Sequence, residues 1–309
     1  MIVYRELSSL EKDLGFHAKQ LYAVSNRLEK HYHRVQIPKK SGGVRVLSVP
    51  DEVLKAIQRK ITEVLLAAMP VSRYAAAYRC GASTVKNARC HVGKTVVLKL
   101  DILHFFDSIR YADVKAMAFP QEIYAEPIRV LLTMLCYYKD ALPQGAPSSP
   151  IISNIILYDF DEEIGQWCRE QGISYTRYCD DLTFSGSFSP RSVIAFMGAE
   201  LKKHGFLLNK RKIHIQFFGQ RQTVTGIVVN EKPSVPAAYR RGLRQELYYC
   251  QKFGISEHLK RSGAALSEEN YRMRLLGKVN YILQVDPGNG DMKKAKQWLL
   301  EAGQVRGTE

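Results

Sequence analysis

ISYTRYCDDLTFSG, residues 173–186, is the stretch on which the fold turns. Aromatic and β-branched residues at 173–178 and again at 182–186 flank the polar triplet Cys179-Asp180-Asp181, a pattern that predicts a β-hairpin with the acidic pair at its turn. Two adjacent carboxylates on a tight turn repel each other unless a cation compensates them. Strand alternation sends neighbouring side chains to opposite faces, so such a turn can offer one carboxylate to a metal and hold the other nearby. Standing alone, an acidic pair is ordinarily a solvated turn. Its neighbours reverse that reading.

Working outward, residues 95–102 form an apolar, β-branched run, hence a strand that carries Asp101. If that strand pairs with the hairpin, Asp101, Asp180 and Asp181 converge. This is what two Mg²⁺ ions roughly 3.5–4 Å apart require to activate a hydroxyl nucleophile and stabilise a leaving pyrophosphate. The chemistry implied is phosphoryl transfer. Phe105 and Phe106 follow Asp101 and would in isolation be core aromatics. In LPQGAPSSP, residues 142–150, Gly145 and the prolines fix an unusual backbone ahead of a long helix, where a glycine lets a flat group approach the main chain. Ser148 or Ser149 can also cap that helix. Residues 35–49, VQIPKKSGGVRVLSV, read as two short strands around a Gly-Gly turn. Lys39, Lys40 and Arg45 there could grip a triphosphate, although an isolated cluster of this kind is usually a solvated turn.

The remaining pattern is helix over 5–30, 51–66 and 149–171, the last stopped by Gly172, then helix over 191–204 ended by Gly205. Strands are expected over 212–218 and 222–229, and a basic helical region from Tyr239 onward puts a domain boundary near 235. Of 309 residues, 46% are hydrophobic and 24% charged, a globular composition that excludes a disordered tail or a fibre. Apolar runs are all interrupted before the ~20 residues of a membrane span, and the first residues lack a secretion signal, which points to the cytoplasm and no membrane. Six cysteines lie scattered without a CxxC pair. That argues against a disulfide framework, and Cys80, Cys90 and His91 lack the paired spacing of a zinc knuckle. With 45 Lys+Arg against 30 Asp+Glu, the net charge of +15 implies a polyanionic partner without choosing DNA or RNA.

The ordered series IPKKSGGVR, LKLDILHFFDSI, LPQGAPSSP, YCDDLTFS, GFLLNKRK (205–212) and VTGIVVN (224–230) resembles the fingers and palm of a reverse transcriptase, over about 35–230. Within that family it is most similar to bacterial retron reverse transcriptases. NARCH at 87–91 resembles their NAxxH element, and Val224-Thr225-Gly226 resembles their VTG triplet. The resemblance implies an α+β right-hand polymerase with an antiparallel palm sheet backed by helices. Its parts would be an N-terminal helical segment (1–34), fingers and palm (35–235, the fingers from roughly 30–95 and 110–145) and a helical thumb (236–309).

It also implies roles. Asp101, Asp180 and Asp181 would bind two Mg²⁺ ions, Phe106 would exclude a ribose 2′-OH, and Gln144 with Gly145 would line the incoming deoxynucleoside triphosphate. Lys39, Lys40 and Arg45 would contact the triphosphate, and Lys212 would protonate pyrophosphate. Asn87, His91, Val224, Thr225 and Gly226 would belong to surfaces that contact the cognate RNA, the alternative being that Asn87 caps a helix and His91 satisfies a core hydrogen bond. Cys179 stands where many relatives carry Ala, and a small thiol still fits. The expected activity is RNA-directed DNA synthesis on a structured non-coding RNA, begun from an internal guanosine 2′-OH and leaving a branched RNA–DNA hybrid, in anti-phage defence with a separate effector protein. About 75 residues after the palm suffice for a thumb but not for an RNase H domain, so removal of template RNA would fall to a host RNase H. The alternatives are a group II intron-like or other bacterial reverse transcriptase, or a catalytically idle RNA-binding subunit.

Overall fold

Residues 173–186 form the expected hairpin in the computed structural model, which describes residues 4–38, 42–263 and 266–304. In chain order the strands among them are β1 (Tyr32–Pro38), β2 (Val44–Pro50), β3 (Val96–Leu103), β4 (Ser174–Tyr178), β5 (Asp181–Gly186), β6 (Leu207–Leu208), β7 (His214–Phe217), β8 (Thr223–Val224) and β9 (Ile227–Val228). The chain divides into two compact units, 1–82 with 98–215 and 83–97 with 216–309.

The first unit is built on a sheet of order β4-β5-β3-β6, in which β4–β5 and β3–β6 pair antiparallel. Strand β3 is buried along almost its whole length, with Leu98, Leu100 and Ile102 in the main core, and its sequence accordingly runs apolar rather than alternating. Leu100, Ile102, Leu182 and Phe184 from the strands pack with Ile155 and Phe160 from the helices. The region 149–171 is two helices, Ser149–Ile156 and Tyr158–Glu170, parted at Leu157 (φ −89°, ψ 13°), rather than one. Likewise 5–30 is three helices, Leu7–Leu14, Ala18–Ser25 and Leu28–His31. Gly15, at φ +73°, ends the first of them, its N–H donating to the Glu11 carbonyl. The antiparallel pair β1–β2 surrounds the Gly-Gly turn as expected, with Gly42 and Gly43 both at positive φ.

The second unit holds helices Ala237–Phe253, Ile255–Ser262, Glu268–Val285 and Gly290–Gln304. Their core of Leu243, Leu247, Leu275 and Val279 also takes in Val85, Val224 and Ile227. Residues 83–97, expected in the fingers, therefore pack with the C-terminal part of the chain. The region 222–229 is not one strand. It is the miniature hairpin β8–β9, whose central residues Thr225 and Gly226 both take positive φ (46° and 83°), as a type I′ turn requires.

Candidate active site

Tyr178 pairs with Asp181 across the hairpin, which leaves Cys179 and Asp180 as a two-residue loop. Cys179 sits at φ +62°, a conformation that normally favours glycine and that in other residues marks a functional or strained position. The Ile102 N–H donates to the Asp180 carbonyl (3.0 Å) and the Asn209 N–H to the Asp101 carbonyl (2.9 Å), so the main chain ties β3 to the turn on one side and to the residue after β6 on the other. Buried Asp101 accepts from Asn209 Nδ2 at 2.8 Å on Oδ1 and from Lys212 Nζ at 2.6 Å on Oδ2.

Enclosure, followed by the charges of Asp180 and Asp101, pushes the Asp181 carboxyl up to about 6, with Lys212 and Lys99 opposing the shift. Asp181 still reaches solvent. Its hydrogen bond to Asp101 raises the Lys212 ammonium above its ordinary range, and burial lowers that of Lys99. Asp101, Asp180 and Asp181 line one cavity and offer hard oxygen donors of the kind Mg²⁺ takes. A cavity of about 560 Å³ has all three aspartates in its wall, together with Lys212, Phe106, Gln144 and Arg45.

Other expected site residues fall elsewhere. At Gly145 (φ +121°) a Cβ would lie 2.9 Å from the Ser48 carbonyl oxygen. The group that approaches is the β2 main chain, whose Ser48 N–H donates to the Gln144 carbonyl at 2.9 Å. Lys39 and Lys40 lie outside the described residues. Asn87, His91, Val224, Thr225 and Gly226 all belong to the second unit. Asn87 is 2% and His91 0% exposed, and Val224 is also buried, so direct RNA contact is not open to these side chains. Thr225 Oγ1 donates to the Thr84 carbonyl (3.0 Å), which ties the VTG turn to the helix Thr84–Arg89 that carries Asn87.

Three residues at the site have no role in the sequence reading: Asn209, Lys99 and Tyr78, the last at φ +59° on the cavity wall. Lys99 shares a strand face with Asp101 by simple alternation, a signal that was present in the sequence. The link from Asn209 to Asp101 spans 108 residues and leaves no local trace. Among the described residues, the group whose potential ligand atoms all lie within 4.8 Å of one another is a different one, Glu163, Glu200 and His204. Lys203 already bridges its two carboxylates at 3.1 and 3.4 Å. Cys80 and Cys90 are exposed, and no described helix is long and apolar enough to cross a membrane.

A sheet that gathers three aspartates beneath such a cavity, backed by helices, has the architecture of a right-hand polymerase palm. Residues 37–251 match the reverse transcriptase (RNA-dependent DNA polymerase) family. Retron Ec83 reverse transcriptase of Escherichia coli is 34% identical over 71% of this chain and 75% of its own length. Retron Ec86 reverse transcriptase, also of Escherichia coli, is 30% identical over 95% and 94%. Retron Mx65 reverse transcriptase of Myxococcus xanthus is 35% identical over 71% of this chain, which spans only 56% of that relative's length. The chain belongs to the reverse transcriptase family, in its bacterial retron branch.

Proposed function

We propose that this chain is an RNA-directed DNA polymerase whose centre is Asp101, Asp180 and Asp181 holding two Mg²⁺ ions. The observation that carries the reading is the meeting of these carboxylates with Phe106, Gln144 and Arg45 around one cavity. Two such ions, when bound, supply activation of the attacking hydroxyl and stabilisation of the leaving pyrophosphate. The protein's own groups do the rest. Arg45 and Gln144 bind and orient the deoxynucleoside triphosphate, and the Phe106 ring fills the space a ribose 2′-OH would need. Lys212, held protonated by Asp101, carries a proton at the cavity wall for the departing pyrophosphate. The first unit would supply fingers and palm, and the helices after 236 the thumb.

The retron relationship supports a finer reading. The template is a cognate structured RNA, synthesis starts from an internal guanosine 2′-OH, and the product is a branched RNA–DNA hybrid made in the cytoplasm. Anti-phage defence with a separate effector protein, and template removal by a host RNase H, belong to the same reading.

Asp101→Asn, Asp180→Asn and Asp181→Asn test the centre by primer extension. Each should lose more than about a hundredfold of extension, because removing one ligand disturbs both metal positions, while RNA binding stays near wild type. Full activity in Asp181→Asn would sink the assignment. Extension by the unaltered protein separates an enzyme from an idle scaffold.

A further inference from the structure

Beneath the YCDD turn lies a charged pair that the proposed mechanism does not use. Arg177 on β4 and Asp161 on the helix Tyr158–Glu170 are both 0% exposed. Arg177 Nε donates to both carboxylate oxygens (2.9 and 3.1 Å) and Nη2 to Oδ2 at 2.6 Å, while the Tyr175 hydroxyl donates to Oδ1 at 2.9 Å. The remaining arm, Nη1, donates to the carbonyl of Cys179 at 3.1 Å. The Arg177 main chain is fixed as well, its N–H donating to the Tyr74 carbonyl (2.8 Å) and its carbonyl accepting from the Ala76 N–H (2.7 Å).

A buried ion pair is a poor way to join a strand to a helix, since desolvating both charges offsets most of the attraction and two apolar side chains would serve as well. What the pair adds is direction. Asp161, held by Nε and Nη2, fixes the plane of the guanidinium fork, and that plane aims Nη1 at one carbonyl. The carbonyl belongs to Cys179, the residue at φ +62°, and its peptide leads directly into Asp180. Strained conformations of this kind persist only where their surroundings over-determine them.

We infer that Asp161 and Arg177 are positioning residues for the metal-binding turn: Arg177, oriented by Asp161, holds the Cys179 carbonyl and thereby the placement of Asp180 and Asp181. This rests on reading the three aspartates as the metal site.

The test compares Arg177→Lys, which keeps a cation against Asp161 but lacks the fork that reaches Cys179, with the apolar double variant Asp161→Leu/Arg177→Met. Tyr175→Phe, which leaves the bond to Cys179 in place, is the control. Three quantities are measured: the half-saturating Mg²⁺ concentration for primer extension, the melting temperature, and Mn²⁺ binding by electron paramagnetic resonance. The last uses a complex with RNA template, dideoxy-terminated primer and a deoxynucleoside triphosphate. Both Arg177 variants should bind Mn²⁺ about 10–100-fold more weakly and need correspondingly more Mg²⁺, the size expected when a supporting group behind metal ligands is removed. Melting temperature should change little in the double variant, and Tyr175→Phe should bind Mn²⁺ as the unaltered protein does. Unchanged Mn²⁺ affinity in a folded Arg177 variant overturns the inference, and so does a loss that merely tracks melting temperature across the set. If the double variant does not fold, Arg177→Lys decides by the same criteria. Mn²⁺ binding that survives undiminished in Asp181→Asn would instead count against the metal site itself.

Discussion

Phe105 and Phe106 are neighbours in sequence and both line the cavity, but they differ in burial. Phe105 is buried in the core and meets Phe206 at 6.0 Å between ring centroids, whereas Phe106 is only half-buried and packs edge-on to Phe105. Phe106→Ala should therefore admit ribonucleotides with little loss of deoxyribonucleotide incorporation, since the discrimination is steric. Phe105→Ala should leave sugar choice alone and cost about 3–5 kcal/mol of stability. Single-nucleotide incorporation with both sugars, alongside melting curves, separates the two. His91 gives a pH signature. Burial first, then Lys94, lowers its pKa to about 3, so the unfolded chain binds the proton more readily than the folded one. Stability is thus fully present above the ordinary histidine value and is lost as pH falls from about 6.5 towards 3. His91→Gln should flatten that acid limb when melting temperature is followed across the window. That Asp101, Asp180 and Asp181 share one cavity wall was legible in the sequence from the strand carrying Asp101 and the hairpin beside it, not from the acidic pair alone. The burial of Asn87 and His91 was not, because their cover comes from residues more than a hundred positions away, as the Thr225 bond to Thr84, 141 residues apart, illustrates.

At the level of elements, periodicity found the strands and helices but passed over their interruptions. Leu14 and Leu21 are both buried, so the apolar face continues in sequence across Gly15 although the helix does not. The same holds at Leu157, itself buried between two helices whose apolar faces serve one core. Gly145 shows an opposite limit. Its need for a glycine was readable, and the close approach of β2 supplies a reason that was not. Gly145→Ala must push against main-chain oxygen at 2.9 Å from a backbone at φ +121°, so β2 has to move. Because β2 carries Arg45 to the cavity, the expected result is a several-fold higher KM for deoxynucleoside triphosphate with a smaller change in kcat. Overpacking of this kind costs roughly 1–3 kcal/mol, which a melting curve would show beside the kinetics. An unchanged KM would detach the β1–β2 hairpin from nucleotide binding.

For the whole molecule, charge and shape answer different questions. A net charge of +15 should make general RNA affinity fall steeply with salt, because phosphate contacts release counterions and carry no sequence information. Selection of one folded RNA needs contacts with shape and unpaired bases, which salt does not erase. The second unit contains a candidate for organising such contacts. The VTG turn and the NARCH helix are joined by the Thr225–Thr84 bond, and Thr225 is a β-branched residue held at φ +46°, an outlier for its type. Asn87 is buried with neither side-chain oxygen nor nitrogen hydrogen-bonded, so it contributes no polar contact to the stability of the helix that carries it. Both features suit a braced surface whose shape matters more than its stability. Asn87→Ala with His91→Ala, or Thr225→Val, should therefore impair initiation on the cognate RNA more than extension of an ordinary annealed primer. On this proposal the buried Asn87 and His91 would act by shaping that surface and not by touching RNA. The measurement is initiation and extension side by side over a salt series. A greater loss in initiation that persists at high salt is expected. Equal loss on both substrates, in step with melting temperature, would leave a generic reverse transcriptase whose NARCH and VTG residues only pack the second unit.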